Sequence, residues 1–337
     1  MDPVAALKRV AYLLERERAE ARRATAFRKA AARLEGLQAR ELERRLATGT
    51  LTELPDVGQR TAGVAMEAAR GEVPDYLAAL EERADGPLAE GGEEVRGWLR
   101  GDLHSHSEWS DGGTPILDMA RAAVELGHEY LALTDHSPRL TVARGLSPER
   151  LREQLDVVEE LNAELAPFRI LTGIEVDILE DGGLDQEPEL LARLDVVVAS
   201  VHSKLRMDAR AMTRRMVAAV EHPLVDVLGH CTGRLVTGGR GTRPESEFDA
   251  EAVFGACLDN DVAVELNSRP ERLDPPMRLL ERVVELGCRM AIDTDAHAPG
   301  QLEFLDHGCA RAAEAGVPRE RIVNALPLED LLSWTNR

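Results

Sequence analysis

The stretch 101–113, GDLHSHSEWSDGG, contains two histidines and a carboxylate at a spacing that suits a metal ion. His104 and His106 lie two residues apart at the end of a short predicted strand, where side chains i and i+2 share one face. Asp111 follows in a glycine-rich turn. Imidazole nitrogens and a nearby carboxylate suit a divalent transition metal such as zinc. The H-x-H pair alone is a weak indication, so the rest of the chain decides whether a metal site exists.

From residue 101 onward the chain alternates short apolar strands with amphipathic helices, which predicts a parallel β/α architecture. The predicted strands are 101–103, 130–133, 169–174, 196–201, 225–228, 263–266 and 290–292. In a parallel barrel the carboxyl ends of the strands converge on one face, where the chemistry takes place. Six of the nine histidines follow these strands: His104, His106, His136, His202, His230 and His297. With the carboxylates at matching positions, they predict a multinuclear metal site.

The motifs at these strand ends resemble those of the polymerase and histidinol phosphatase (PHP) family. DLHSHSEWSDG, LTDHS, GIEVD, SVHS, GHCTGR and DTDAH occur in the family's order over residues 101–300. NSRPERLD and DTDAHAPGQLEF are most similar to the C-terminal PHP domain of bacterial family X DNA polymerases. The resemblance implies a distorted seven-stranded (β/α)7 TIM-like barrel that binds two or three divalent ions, either Zn²⁺, Mn²⁺ or Fe²⁺.

The same resemblance assigns ligands to each ion. It implies a first ion held by His104, His106, Glu175 and Asp295. Glu175 would bridge to a second ion, which is also held by His202 and His230. A third ion would be held by Asp111, His136 and His297.

Five further residues are predicted to support catalysis. Asp102, Asp135 and Asp293 are expected to orient the ligands or to accept protons. Arg234 and Arg272 follow the fifth and sixth strands, where their guanidinium groups could grip phosphate oxygens; the alternative for each is a surface salt bridge. Closely spaced cations lower the pKa of a bound water and neutralise charge on a phosphoryl group. The predicted chemistry is therefore hydrolysis of a phosphate ester.

The N-terminal segment differs from the rest in charge. Residues 1–50 contain twelve Lys and Arg against seven Asp and Glu, a net +5, whereas the whole chain carries −20 and the remainder therefore −25. A basic segment on an acidic body is expected where that segment alone contacts phosphate, although a solvated helix face would show the same excess.

Apolar residues at helical spacing predict helices over residues 1–90, with a hairpin at 51–62, LTELPDVGQRTA. The hairpin would leave free N–H groups at the start of the next helix, which suit a DNA phosphate. With AFRKAAARLEGL and ARGEVPDYL on either side, it resembles the helix-hairpin-helix of the small N-terminal domain of family X polymerases. Val64 stands where lyase-active members carry a Schiff-base lysine, so lyase chemistry is not expected. The alternative is a helical cap or dimerisation module that does not contact DNA.

These patterns predict a helical domain at 1–83, a linker at 84–100 and a barrel at 101–337. The linker leaves no room for the fingers, palm and thumb of a polymerase, so nucleotide transfer is not expected. Four cysteines without paired spacing predict no disulfide partner. No apolar run reaches the ~18–20 residues that span a bilayer, so no membrane partner is expected. The N-terminus lacks a secretory pattern, which favours a cytoplasmic location.

The favoured function is a metal-dependent DNA phosphodiesterase, either a 3′-5′ exonuclease or an enzyme that processes abasic sites or 3′ ends in DNA repair. DNA would bind through residues 1–83 and the barrel mouth. The main alternative is a small-molecule phosphomonoesterase of the histidinol-phosphatase type, in which the N-terminal helices are a structural cap. A DNA-binding scaffold with a vestigial barrel would not need the intact ligand set. An amidohydrolase commonly bridges its metals with a carboxylated lysine, but Lys204 lies beyond His202, and Glu175 already fills that role.

Overall fold

The computed structural model describes residues 1–239 and 241–336. The chain forms two compact units. The first comprises Met1–Pro87 together with Ala298–Gln301, and the second comprises Leu88–His297 and the described chain from Leu302 onward. Among the described residues, no helix is both long enough and sufficiently apolar to cross a lipid bilayer.

The first unit consists of helices whose apolar faces form one core. They are α1 (Pro3–Arg16), α2 (Ala21–Glu35), α3 (Ala39–Thr48), α4 (Gln59–Ala69) and α5 (Asp75–Arg83), with a 3-10 turn at Leu51–Glu53. Asp2 caps α1 by accepting a hydrogen bond from the N–H of Ala5, and Pro3 suits the first helical position. The core residues include Leu7, Val10, Leu14, Phe27, Leu34, Val64 and Leu77. Burial of these faces stabilises helices that would be marginal alone.

A hairpin of residues 49–58 joins α3 to α4. Gly49 ends α3 with φ 69°, a left-handed conformation that a residue without a Cβ adopts at little cost. At the other end, Gly58 caps α4 and donates its N–H to the Thr61 hydroxyl at 3.0 Å. Gly58 and Arg60 are exposed. The first turn of α4, whose N–H groups have no helical acceptor, is therefore open to solvent.

Within the described residues, the second unit contains seven strands that pair in parallel and in chain order. They are β1 (Gly101–Ser105), β2 (Tyr130–Leu133), β3 (Arg169–Asp177), β4 (Val196–Ser200), β5 (Val227–Leu228), β6 (Ala263–Asn267) and β7 (Met290–Asp293). Ser105 pairs with Ala296 just beyond β7, so the sheet closes almost completely. The predicted seven-stranded parallel barrel is confirmed. The strand bounds differ mainly in β3, which extends to Asp177, and in β5, which is two residues long.

Helices pack around this barrel. They are α6 (Glu93–Arg96), α7 (Ile116–Glu125), α8 (Pro148–Leu165), α9 (Pro188–Leu191), α10 (Ala209–Val220), α11 (Ala250–Asp259), α12 (Met277–Leu286), α13 (Leu305–Glu314) and α14 (Leu328–Thr335). Alternate residues of each strand face opposite sides. In β4, Val196 and Val198 belong to an inner cluster, whereas Val197 and Ala199 pack in an outer cluster with the helices. Because the inner apolar cluster fills the first part of the strands, polar side chains can occupy the barrel at their carboxyl ends.

Part of the stretch predicted as a linker folds with the barrel. Residues from Leu88 onward belong to the second unit, and Val95 and Leu99 are buried there. The N–H of Arg100 donates to the carbonyl of Asn324 at 2.9 Å. A few apolar residues among glycines and acids are a weak local signal, so packing against the barrel decided the conformation of this stretch.

His128 is buried in the second unit beside a cation. It is 6% exposed, and its Nε2 lies 3.1 Å from NH2 of Arg96. Burial, and to a smaller extent the charge of Arg96, lowers the pKa of His128 to about 3. In the unfolded chain the pKa returns to about 6.5, so the unfolded state binds the proton first. This residue therefore reduces stability as the pH falls below about 6.5.

We predict that the wild type loses about 2 kcal/mol more stability between pH 7 and pH 5 than His128→Asn, which has no imidazole to protonate. Urea unfolding at a series of pH values measures the difference. Arg96→Met should keep most of the loss, because burial is the larger cause. Parallel stability curves for the wild type and His128→Asn would contradict the assignment.

Candidate metal centre

The carboxyl ends of the strands bring the nine predicted metal ligands together. Five lie on β1, β2 and β3 or directly after them: His104, His106, Asp111, His136 and Glu175. Four follow β4, β5 and β7: His202, His230, Asp295 and His297. Glu175 lies on the same face of β3 as Leu171, a member of the inner cluster four residues earlier, because alternate strand residues share a face. Its side chain therefore faces the barrel interior.

Glu175 is the centre of this cluster and is only 1% exposed. Its Oε2 lies between 2.9 and 3.6 Å from ring nitrogens of His104, His106 and His136. Its Oε1 lies 3.1 Å from Nε2 of His202 and 2.8 Å from Nε2 of His230. Burial alone would raise the pKa of Glu175, but the surrounding histidines hold it well below its usual range.

These nitrogens and oxygens are close but do not form hydrogen bonds with one another. Both Glu175 oxygens and the facing nitrogens of the five histidines are buried without a hydrogen-bond partner among the described residues. Buried polar groups without partners are costly, and lone pairs that converge in this way suit a shared cation. The residues therefore fit a centre of several divalent ions.

A second group of ligands lies around Asp111. Its Oδ1 is 3.4 Å from Nε2 of His136 and 3.3 Å from Nε2 of His297. His106 can join the same group, and it also belongs to a group with His104 and Glu175. His136 likewise groups with Glu175 and His202. Because these groups share members, the division of the nine residues among three ions stays a prediction.

Asp295 is held by two arginines, Arg269 and Arg272. Its Oδ1 lies 3.5 Å from Nε2 of His106, and its Oδ2 accepts a hydrogen bond from Nε of Arg272 at 2.9 Å. Asp295 has φ 53°, which is unusual for a residue with a Cβ. Arg269 donates to the carbonyl of Asp295 at 2.9 Å and so fixes this backbone conformation. Arg269 was not among the predicted site residues.

The two arginines predicted to grip phosphate have different surroundings. Arg272 contacts a predicted ligand and thus borders the cluster. Arg234 donates its Nε to the carbonyl of Arg272 at 3.0 Å, its NH2 to the carbonyl of Leu273 and its NH1 to Glu245. Its donors are thereby committed to holding the loop after β6, so the contacts favour a structural role for Arg234.

The three predicted supporting carboxylates accept hydrogen bonds from backbone N–H and hydroxyl groups. Asp102 accepts from the N–H of His104 and the hydroxyl of Thr294. Asp135 accepts from the hydroxyl of Ser107 at 2.6 Å. Asp293 accepts from the N–H of Leu103 at 2.9 Å. Within the described residues none of the three bonds to a histidine ring, so they fix the loops that carry the ligands.

Glu265 orients the ligands more directly, although it was not among the predicted site residues. Its Oε1 lies 2.6 Å from Nδ1 of His104, and its Oε2 accepts from the N–H of His230. A carboxylate at Nδ1 keeps the proton there and leaves Nε2 of His104 free to bind a metal on the Glu175 side. Its position at the end of β6 was a usable signal, because every neighbouring strand end carries a predicted ligand.

A parallel barrel with clustered histidines and carboxylates at its strand ends is typical of a metal-dependent enzyme. Residues 102–269 match the family model described as the PHP domain, and the chain belongs to the PHP family. It is thus a phosphoester hydrolase, as its sequence predicted.

Several known proteins are similar to the chain. The DNA polymerase/3′-5′ exonuclease PolX of Bacillus subtilis is 39% identical over 72% of this chain, which spans 42% of the length of that relative. A "Probable phosphatase" of Thermoanaerobacter is 26% identical over 66% of this chain and 89% of its own length. Among solved structures, histidinol phosphate phosphatase of Lactococcus lactis, complexed with zinc, L-histidinol and phosphate, matches with a TM-score of 0.47 and 19% identity, over 65% of this chain and 94% of that one.

We predict that Glu265→Gln weakens metal binding about 10- to 100-fold while the fold is retained. The amide keeps the shape of the side chain but removes the charge that fixes the tautomer of His104. Competition with a chromogenic chelator measures the affinity, and circular dichroism reports the fold.

Glu251→Gln is the matched control, because it makes the same change in an exposed ion pair of the second unit. It should bind metal like the wild type. If Glu265→Gln does so too, Glu265 does not position His104.

Proposed function

We propose that this chain is a metal-dependent DNA phosphodiesterase that cleaves at or near 3′ ends, as a 3′-5′ exonuclease or an abasic-site or 3′-end processing enzyme in DNA repair. The nine clustered histidines and carboxylates would hold two or three Zn²⁺, Mn²⁺ or Fe²⁺ ions. When bound, such ions supply an activated water and neutralise charge on the phosphoryl oxygens. The protein's own part is to hold the ligands rigidly and to admit the substrate from one side.

The exposure of the ligands shows which side is open. His104 and His106 are fully buried, whereas the side chains of Asp111, His297 and His202 are 37%, 20% and 12% exposed. A phosphate group therefore reaches the cluster over these three residues. Arg272 is only 8% exposed and donates to Asp295, so its role is to orient a ligand.

The single observation that carries the DNA assignment is the exposed hairpin of the first unit. The first turn of α4 presents Gly58 and Arg60 to solvent, and free N–H groups at a helix start bind phosphate. Lys29 and Arg33 of α2 line a cavity of about 330 Å³ beside Asp56 of the same hairpin. This basic surface on an acidic chain suits a DNA backbone. Val64 is buried inside α4, so we propose no lyase activity for this unit.

The relatives support both candidate functions. The Bacillus subtilis relative is named as a polymerase and 3′-5′ exonuclease, which favours DNA as the substrate. The relatives named as phosphatases match over about two thirds of this chain, which favours the alternative, a small-molecule phosphomonoesterase. The alternative assigns no role to the exposed first turn of α4 or to Lys29 and Arg33 of α2, so we place it second.

We predict that the full-length protein loaded with Mn²⁺ or Zn²⁺ shortens a 5′-labelled DNA oligonucleotide from its 3′ end. His104→Ala/His106→Ala should abolish this cleavage. Arg60→Glu should raise KM for DNA several-fold through lost phosphate contact, while hydrolysis of p-nitrophenyl phosphate stays unchanged. Gel electrophoresis of the products and parallel assays with p-nitrophenyl phosphate and histidinol phosphate measure these effects.

Fast hydrolysis of the monoesters with intact DNA would establish the phosphatase alternative. A wild-type level of DNA cleavage by Arg60→Glu would show that the hairpin does not bind the substrate.

A further inference from the structure

A cavity of about 760 Å³ lies in the second unit, beside the loop that follows β5. Its lining combines apolar side chains with three arginines and two glutamates, Glu245 and Glu247. The arginines are Arg234, Arg243 and Arg278. We propose that this cavity binds the nucleotide strand next to the phosphodiester bond that is cleaved at the metal centre. The proposal rests on the DNA phosphodiesterase function and adds a subsite for the substrate strand.

One wall of the cavity contains two residues whose backbones pair: Leu235 and Arg243 exchange both hydrogen bonds, each at 2.9 Å. The N–H of Val236 donates to the carbonyl of Glu271 at 2.8 Å, which ties Val236 to the loop after β6. The side chain of Val236 is nevertheless 41% exposed. An anchored backbone with an exposed apolar side chain provides a preformed surface for a ligand.

The cavity is connected to the metal centre through two hydrogen bonds. Arg234, which lines the cavity, donates to the carbonyl of Arg272 at 3.0 Å. Arg272 in turn donates to Asp295, a predicted metal ligand, at 2.9 Å. Arg234 also follows the predicted ligand His230 by four residues on the same loop. The cavity is therefore lined by the same loop that carries His230, and a strand bound at the metals would lie close to it.

The lining of the cavity carries one more positive than negative charge, with three arginines against Glu245 and Glu247. Glu245 lies between two guanidinium groups, with Oε1 3.3 Å from NH1 of Arg234 and Oε2 paired with Arg278. Arg278 is 62% exposed, so its guanidinium can turn toward a ligand. A phosphate oxygen can replace one carboxylate oxygen between the arginines, because both are acceptors for the same donors. Glu245 competes with the phosphate for the same arginines and so weakens binding of the strand.

The apolar side chains complete a nucleotide site. Val236, Phe248 and Leu279 line the same cavity as the arginines. Phe248 is supported by an edge contact with Phe254, with ring centroids 6.0 Å apart. Sequence-tolerant binding of single strands combines such apolar or aromatic contacts with basic groups along the backbone. A cavity within the ~300–1,000 Å³ range of ligand sites accommodates one nucleotide.

The test uses metal-loaded, full-length protein and fluorescent thymidine oligonucleotides, from a dinucleotide up to about eight nucleotides. Arg278→Ala should raise KM for the longest oligonucleotide about 5- to 10-fold and lower the salt dependence of KM. Glu245→Gln should lower KM, because it releases two arginines from their carboxylate. Both effects should shrink as the oligonucleotide is shortened.

Arg282→Ala is the matched control. Arg282 lies one turn further along α12 and pairs with Glu251 and Glu285, which do not line the cavity. It removes the same charge and should leave KM unchanged at every length. Equal KM values for Arg278→Ala and Arg282→Ala, or a higher KM for Glu245→Gln, would overturn the proposal.

Failure of the proposed DNA phosphodiesterase function would be distinguishable from failure of the cavity proposal. If the wild type cleaves no oligonucleotide, the DNA phosphodiesterase assignment fails. Fluorescence anisotropy with the same probes on the cleavage-inactive variant His104→Ala/His106→Ala then measures oligonucleotide binding by the cavity independently of cleavage. Weaker binding after adding Arg278→Ala supports the subsite, and unchanged binding rejects it.

Discussion

A carboxylate that is 1% exposed inside a barrel requires surrounding groups that stabilise its charge. Five histidine nitrogens lie within 3.6 Å of the oxygens of Glu175 without hydrogen-bonding to them, so bound cations would meet this requirement. Removing a charge from water costs several kcal/mol unless partners replace the solvent. The arrangement of the barrel's carboxyl end is consistent with this constraint, because each strand contributes a group that contacts Glu175 or holds a residue that does.

Residues that are not predicted ligands hold the ligands in place through specific hydrogen bonds. Glu265 fixes the ring of His104, and Arg269 fixes the backbone of Asp295. Arg215, which is only 1% exposed, donates to the carbonyls of Leu179 and Ser203 at 2.9 Å and so joins the loops after β3 and β4. These bonds hold ligand-bearing loops that have little regular structure of their own. Hydrogen bonds of this kind keep metal ligands in place while a substrate binds.

The charge distribution explains how an acidic protein can use an anionic substrate. The chain carries a net charge of −20, which repels a phosphate backbone at long range. Local groups of arginine and lysine are therefore needed wherever the backbone makes contact. The cavity beside α2 and the cavity beside β5 provide such groups, each in a different unit. Because Glu245 offsets part of the positive charge in that cavity, the net attraction there is moderate.

The sequence by itself determined the order and identity of the strands and the residues that end them. A period of two and a change to helical spacing are local properties, and the six strand-end histidines were visible for that reason. Three contacts depend on the tertiary structure and could not be predicted from the local sequence pattern. The tertiary structure placed Glu265 against His104, across 161 positions of sequence. It committed Arg234 to carbonyl groups, and it packed Val95 and Leu99 into the barrel. Each depends on which residues from distant segments meet, because only packing brings their atoms within bonding distance.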